Sequence, residues 1–400
     1  MIDHYALPPD KLQKAIALDH TYKIIGLGDL AFMLLLLVLM LELGGWRWLR
    51  DRLPARFQGL VFFTTIVSAL TLSSLPFGIW AHHVSLAYGL SVQGWASWFG
   101  DRGKSLLLVL VVAVPLLLGV RELLRRTPRR AWLWIAVAAV PVQLVLVFAS
   151  PYVIDPLFER FEPLATGHAA LVAKLSRVID KSGESIPPSR MFLMKASDKH
   201  TTLNAYVTGF GASKRVVVWD TTADQRPDDE VLFVFGHELG HYALGHVVRG
   251  IVIGCLGGFV LLFIVQRLVL LLARRYRIER LDDLAAFGLY ALVLAVLGLA
   301  GEPIGNALSR AQEHDADIYG QEVIHGLVSD PQQTAAHAFQ ALGEQSLDRP
   351  DPSALWVWWS YSHPSISERV RFAAQYDPWA RGTPRYFQAR SADDHGGRGP

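Results

Sequence analysis

Residues 231–273, VLFVFGHELGHYALGHVVRGIVIGCLGGFVLLFIVQRLVLLLA, join two signals whose combination sets the fold. His237-Glu238-Leu239-Gly240-His241 is an H-E-x-x-H sequence, and on a helix this spacing puts both imidazoles on one face, one turn apart. Two metal ligands then converge without backbone strain. Glu238 beside them can take a proton from a metal-bound water and pass it to a departing amine. The apolar flank Val231 to Phe235 argues that this helix is buried, where unpaired imidazoles and a carboxylate would be costly. Directly downstream, Ile251 to Ala273 has the roughly 20 mostly apolar residues that a bilayer crossing needs.

Working outward, further segments can span a membrane: Ile24 to Trp46, Leu60 to Trp80, Leu106 to Val120, Ala131 to Ser150 and, after Ile251 to Ala273, Leu284 to Gly301. The third is short and extends through Lys104 if that side chain snorkels. About six spans are expected, in groups of four and two. Hydrophobic residues make up 52% of the 400 and charged residues 18%, too apolar a balance for an ordinary soluble domain. Residues 1–23 carry Asp3, Asp10 and Asp19 without an apolar core and read as an amphipathic N-terminal helix, not a signal peptide. The expected division is 1–23 amphipathic helix, 24–150 four-span part, 151–250 first half of a polar domain, 251–301 two-span part, 302–388 second half, and 389–400 disordered tail.

Within 151–250, Met191 to Met194 and Arg215 to Trp219 read as strands, with Asn204, Gly209 and Gly211 as turn formers between them. Pro227, Asp228 and Asp229 open a helix that carries Leu232 to His246. The tail from Ser391 is polar and Gly-rich. The architecture expected is mostly α, a polytopic helix bundle with a gluzincin-like α+β metalloprotease domain.

A hydrolytic metal site needs a third protein ligand and an open position. The single cysteine, Cys255, rules out a thiolate-rich site and an internal disulfide framework. Six residues past His241 stands Val247, and His246, extrapolated along one helix, lies about 140° round from His241, so neither is assigned to the metal. Glu313 and Asp317, in SRAQEHDAD at 309–317, share a helix face at i and i+4, so one can bind metal while the other orients an imidazole or handles a proton. His314 lies about 100° away from Glu313 on the same helix. Two spans separate His241 from Glu313, an even number, so the chain returns to the side it left. With 38 basic against 36 acidic residues there is no global field for nucleic acid.

At these residues the chain resembles the type I CaaX prenyl endopeptidases, integral-membrane zinc proteases. The likeness runs from about residue 11 to 375. It includes Leu75-Pro76-Phe77, residues 156–161 (PLFERF), Asn204-Ala205-Tyr206 followed by Arg215 to Val218, HELGHYALGH at 237–246, Asn306, Ser309-Arg310, Glu313, Ala316-Asp317, His363-Pro364 and Glu368-Arg369. The resemblance implies one Zn2+ per chain on His237, His241 and Glu313, with Glu238 as general base and Asp317 as proton donor. It also implies that Asn204, His363 and Arg310 meet the substrate or the developing oxyanion. The substrate implied is a peptide or protein, prenylated or not, met at the lipid bilayer. Ser68, Thr71, Ser73 and Gln143 inside the spans are compatible with a wet interior such as the family's chamber.

A metal-binding transporter would leave Glu238 without a task, and a decayed scaffold would not keep ligands and base together. Sidedness has two readings. The Arg-rich loops at 47–56, 121–130 and 274–280 all fall on one side, and the positive-inside rule makes that side cytoplasmic and the catalytic part external. The family resemblance implies a cytosolic opening.

Overall fold

The structure is a computed structural model that describes residues 1–209 and 214–387. Gly211 and the tail expected to be disordered lie outside the described residues. Among the described residues six helical stretches are long and apolar enough to cross a membrane: Pro9–Glu42, Ala55–Ala87, Trp95–Arg126, Ala131–Phe158, His246–Leu272 and Ala286–Ile324. Their apolar side chains face outward, Leu107, Val111, Val145 and Leu256 among them, as lipid-facing residues do.

The first helix, α1 (Pro9–Glu42), is continuous. The amphipathic segment expected at 1–23 is thus largely the first half of a helix about 51 Å long, not a separate element. After α2 (Gly45–Arg52) the chain enters α3 (Gln58–Ser73) and α4 (Leu75–Ala87), which follow one another through Ser74. Then come α5 (Trp95–Arg126), α6 (Ala131–Ala149) and the short α7 (Asp155–Phe158).

The polar region holds β1 (Phe161–Pro163), α8 (Ala165–Ser182), β2 (Met191–Met194), β3 (Ala205–Thr208), β4 (Arg215–Trp219) and α9 (Asp220–Gln225). The sheet order is β1-β2-β4-β3, with β2 and β4 parallel and both outer pairs antiparallel. Val216, Val217 and Val218 of the central β4 are fully buried, which is why an unbroken valine run can lie there. Helix α8 buries Leu171, Val172, Leu175, Val178 and Ile179, a 3.6-residue stripe against this core.

Next come α10 (Asp228–Ala243) and α11 (His246–Leu272). The helix expected to run through His246 ends at Ala243 instead, because Gly245 takes a left-handed φ of 68° and redirects the chain. Helix α12 (Ala286–Ile324) runs for 39 residues. It passes straight through the boundary expected at Gly301, so membrane span and polar domain share one rod. Pro303 sits inside it without ending it. The chain closes with α13 (Pro331–Ser346), α14 (Ala354–Ser360) and α15 (Ile366–Gln375), the last started by a Ser365–Glu368 capping box.

The three Arg-rich loops meet at one end of the bundle. Arg50 Nη1 pairs with Asp283 at 2.5 Å, Arg275 Nη2 with Glu42 at 2.7 Å, and Arg121 Nε donates to the Asp282 carbonyl at 3.2 Å. Glu313 lies about 40 Å further along α12 from its start at this end.

Candidate metal centre

Helices α10 and α12 approach closely because glycines line their contact. A Cβ on Gly320 would stand 2.8 Å from His237 N and 3.0 Å from its Cα, and one on Gly236 would stand 2.7 Å from Val323 Cγ1. That contact sets how far His237 stands from Glu313. Gly320→Ala is therefore expected to push the helices apart, at a cost of about 1–3 kcal/mol for overpacking, with weakened metal retention. Thermal unfolding in detergent together with zinc content checks it, and a variant unchanged in both would separate this contact from the site.

Three donors converge. His237 Nε2 and His241 Nε2 are 3.2 Å apart, Glu313 Oε2 is 3.3 Å from the first and Glu313 Oε1 is 3.4 Å from the second. Ligands about 2.0–2.2 Å from a tetrahedral zinc stand roughly 3.3–3.6 Å from one another, so the three side chains fit such an ion. Their chemistry fits too, since all three are oxygen or imidazole donors. Glu313 Oε2 is buried and has no hydrogen-bond partner, an orphaned acceptor that a cation would satisfy. His237, His241 and Glu313 are the one group of this kind found among the described residues.

Both imidazoles are braced from behind. Asp317 Oδ1 is 2.8 Å from His237 Nδ1, and its carboxylate is gripped by Arg369, which donates from Nε at 3.0 Å and from Nη2 at 2.5 Å. Arg369 is buried, stacks over Phe339 at 4.2 Å and comes from α15. On the other imidazole, His246 Nδ1 is 3.1 Å from His241 Nδ1. The angle predicted for His246 does not apply, because the turn at Gly245 swings its ring back against His241, away from the converging donors. His246 is buried and its Nε2 has no partner. His314 is exposed and packs edge-on against Phe372 at 4.5 Å.

Glu238 Oε1 lies 4.0 Å from His237 Nε2. Burial pushes the Glu238 carboxyl up from its ordinary value. Burial pulls the His237 imidazole down, yet the Asp317 and Glu313 carboxylates beside it outweigh this and hold it up at about 9. His241, buried and beside His237, is pushed down to about 4.

Of the remaining sequence candidates, His363 Nε2 stands 3.4 Å from Glu313 Oε2 with its ring half exposed, and its Nδ1 is 2.9 Å from Ser362 Oγ. Asn204 is exposed at the start of β3, and its backbone is fixed by Thr222 in both directions at 2.8 Å. Arg310 Nη1 donates to the Val357 and Tyr361 carbonyls at 3.1 and 2.5 Å, so its charge holds α14 and the segment leading to His363. Sequence reasoning quoted Arg369 only inside a motif and missed its grip on Asp317. A buried arginine 52 residues from its partner leaves no local spacing signal.

Residues 167–377 match the sequence family described as Peptidase family M48, and residues 7–160 match the family described as CAAX prenyl protease N-terminal, five membrane helices. Over that N-terminal stretch this chain has four of the membrane-length helical stretches. A Bacillus subtilis protein named uncharacterized metalloprotease YhfN is 36% identical, covering 82% of this chain and 76% of its own. CAAX prenyl protease 1 of Saccharomyces cerevisiae is 25% identical over 80% of this chain and 74% of its own, and the Homo sapiens CAAX prenyl protease 1 homolog 28% over 78% and 73%. The crystal structure of S. mikatae Ste24p superimposes with a TM-score of 0.81, covering 92% of this chain and 90% of that one at 23% identity.

Proposed function

Because the chain belongs to peptidase family M48 and is an integral-membrane metalloprotease, we propose that it is a zinc endopeptidase whose one metal ion is held by His237, His241 and Glu313, with Glu238 as general base. The observation that carries this reading is the 3.2–3.4 Å spacing of three donors around an orphaned carboxylate oxygen. Zinc bound there would bring the pKa of a coordinated water near 7 and polarise a scissile carbonyl. Glu238, raised by burial, takes the water's proton and returns it to the leaving amine. Asp317 and Arg369 hold His237 in one orientation. Both Asp317 oxygens are engaged, which favours orienting His237 over proton donation among the roles open to this residue. His363, with Nε2 3.4 Å from Glu313 Oε2, would donate to a carbonyl oxygen that develops charge beside the metal.

Among the described residues β3 is an edge strand, and α10, the helix that carries Glu238, packs against it. An extended substrate can add to that edge with its backbone beside Glu238 and with Asn204 at the strand's start. Arg310 shapes this cleft by holding the segment that carries His363.

The substrate proposed is a membrane-associated peptide or protein, with a prenylated C-terminus as the leading case, as the names of the yeast and human relatives suggest. Geometry supports access from the bilayer, because Glu313 lies only about 18 Å along α12 from Gly301, where the apolar run ends. The test is cleavage of a farnesylated CaaX peptide and its unprenylated twin by detergent-purified protein, before and after chelation. Farnesyl-dependent cleavage that stops on chelation and returns with zinc is expected. Equal cleavage of both peptides removes the prenyl preference and leaves the peptidase. No cleavage of either by metal-replete protein contradicts the proposal.

A further inference from the structure

At the arginine-rich end, far from the metal centre, the C-terminal half of α11, the α5–α6 turn and the loop before α12 enclose a recess of about 770 Å³. Four arginines line it, Arg125, Arg129, Arg267 and Arg280, against the two carboxylates Glu279 and Asp282. Arg280 is committed to Asp282, and Arg125 to Glu122. Arg129 and Arg267 are exposed and have no salt-bridge partner among the described residues.

The recess is built rather than incidental. Gln266 is buried, donates from Nε2 to the Pro128 carbonyl at 2.9 Å and to the Arg129 carbonyl at 3.3 Å, and accepts from Trp132 N at 2.9 Å. One side chain therefore clamps the turn that carries Arg129 onto the helix that carries Arg267. The floor is apolar. Trp132 meets Phe263 edge-on at 5.1 Å, and Phe263 and Leu270 are left exposed on the lipid-facing surface of α11.

We propose that this recess binds an anionic membrane phospholipid, its headgroup phosphate on Arg129 and Arg267 and an acyl chain along Trp132, Phe263 and Leu270. Charge and location both select that occupant. Two unpaired guanidiniums at the end of membrane spans match a phosphate bidentately, and a slot that passes from arginine to aromatic and leucine has the polarity sequence of a lipid. A soluble anion would leave the apolar floor without a use.

The test is native mass spectrometry of the full-length, detergent-purified chain with dioleoylphosphatidylglycerol or dioleoylphosphatidylcholine, and with inorganic phosphate as competitor. Two arginines near a lipid surface predict a preference for phosphatidylglycerol of roughly 30-fold. R129Q/R267Q should bring the two lipids near parity. Leu270→Trp, which fills the acyl slot and keeps the charges, should also lose phosphatidylglycerol, and zinc content checks folding of both variants. Retention of the preference in R129Q/R267Q, or equal retention of both lipids by wild-type protein, overturns the proposal. Displacement by millimolar phosphate with phosphate binding unaffected in Leu270→Trp would mark a free-phosphate site and overturn it as well.

Discussion

Glu313→Ala is expected to leave the purified chain without tightly bound zinc and without peptidase activity. Two imidazoles at i and i+4 fill half of a tetrahedral sphere, and a hydrolytic zinc wants one more protein ligand beside its water. Glu313 puts an oxygen 3.3 Å from His237 Nε2 and another 3.4 Å from His241 Nε2, whereas His314 turns away onto Phe372. His246 approaches His241 at Nδ1, the nitrogen away from the cluster. His246→Ala and His314→Ala should therefore each keep stoichiometric metal, with His246→Ala slower because His241 loses its brace. A loss beyond about 100-fold in affinity separates removal of a ligand from removal of a supporting partner, which typically costs about 10 to 100-fold. Zinc per mole of detergent-purified protein decides the comparison. Metal-replete Glu313→Ala beside metal-free His246→Ala would reassign the third ligand.

Glu238→Gln should separate binding from chemistry. The carboxylate lies 4.0 Å from His237 Nε2, near the cluster but outside the three-donor group. Its replacement by an amide of the same shape keeps zinc at one per chain while removing the base. General-base catalysis of this kind contributes about 10² to 10⁴-fold, so the peptidase rate should fall by that factor with KM little changed. A variant that cleaves at near wild-type rate would show that another group takes the proton.

Both expectations were legible in the sequence because the chemistry depends on local spacing. His237, Glu238 and His241 are fixed by one helical turn, the need for a third ligand and an even number of crossings point to the Glu313–Asp317 face, and the family resemblance chooses Glu313 within it. The strands Met191–Met194 and Arg215–Trp219 fall where their β-branched and apolar runs predict. What could not be read is what depends on tertiary placement. Gly245 turns left-handed after α10 and moves His246 from about 140° round the helix to the back of His241, although nothing in the local pattern distinguishes this glycine from one carried through a helix. Arg369 reaches Asp317 from another helix. The edge strand β3 is too short for its alternation to stand out beside Gly209. Boundaries drawn at residues 23 and 301 followed hydropathy, while α1 and α12 continue because their backbone hydrogen bonds do not register where lipid gives way to water.

The most direct measurement of the central claim is the zinc K-edge fine structure of the detergent-purified chain. The account predicts one zinc with two imidazole ligands, the remaining scatterers oxygen at about 2.0–2.2 Å, and one oxygen lost on Glu313→Ala together with the metal's tight binding. A third imidazole in the sphere, or a protein that binds no zinc at all, would contradict it.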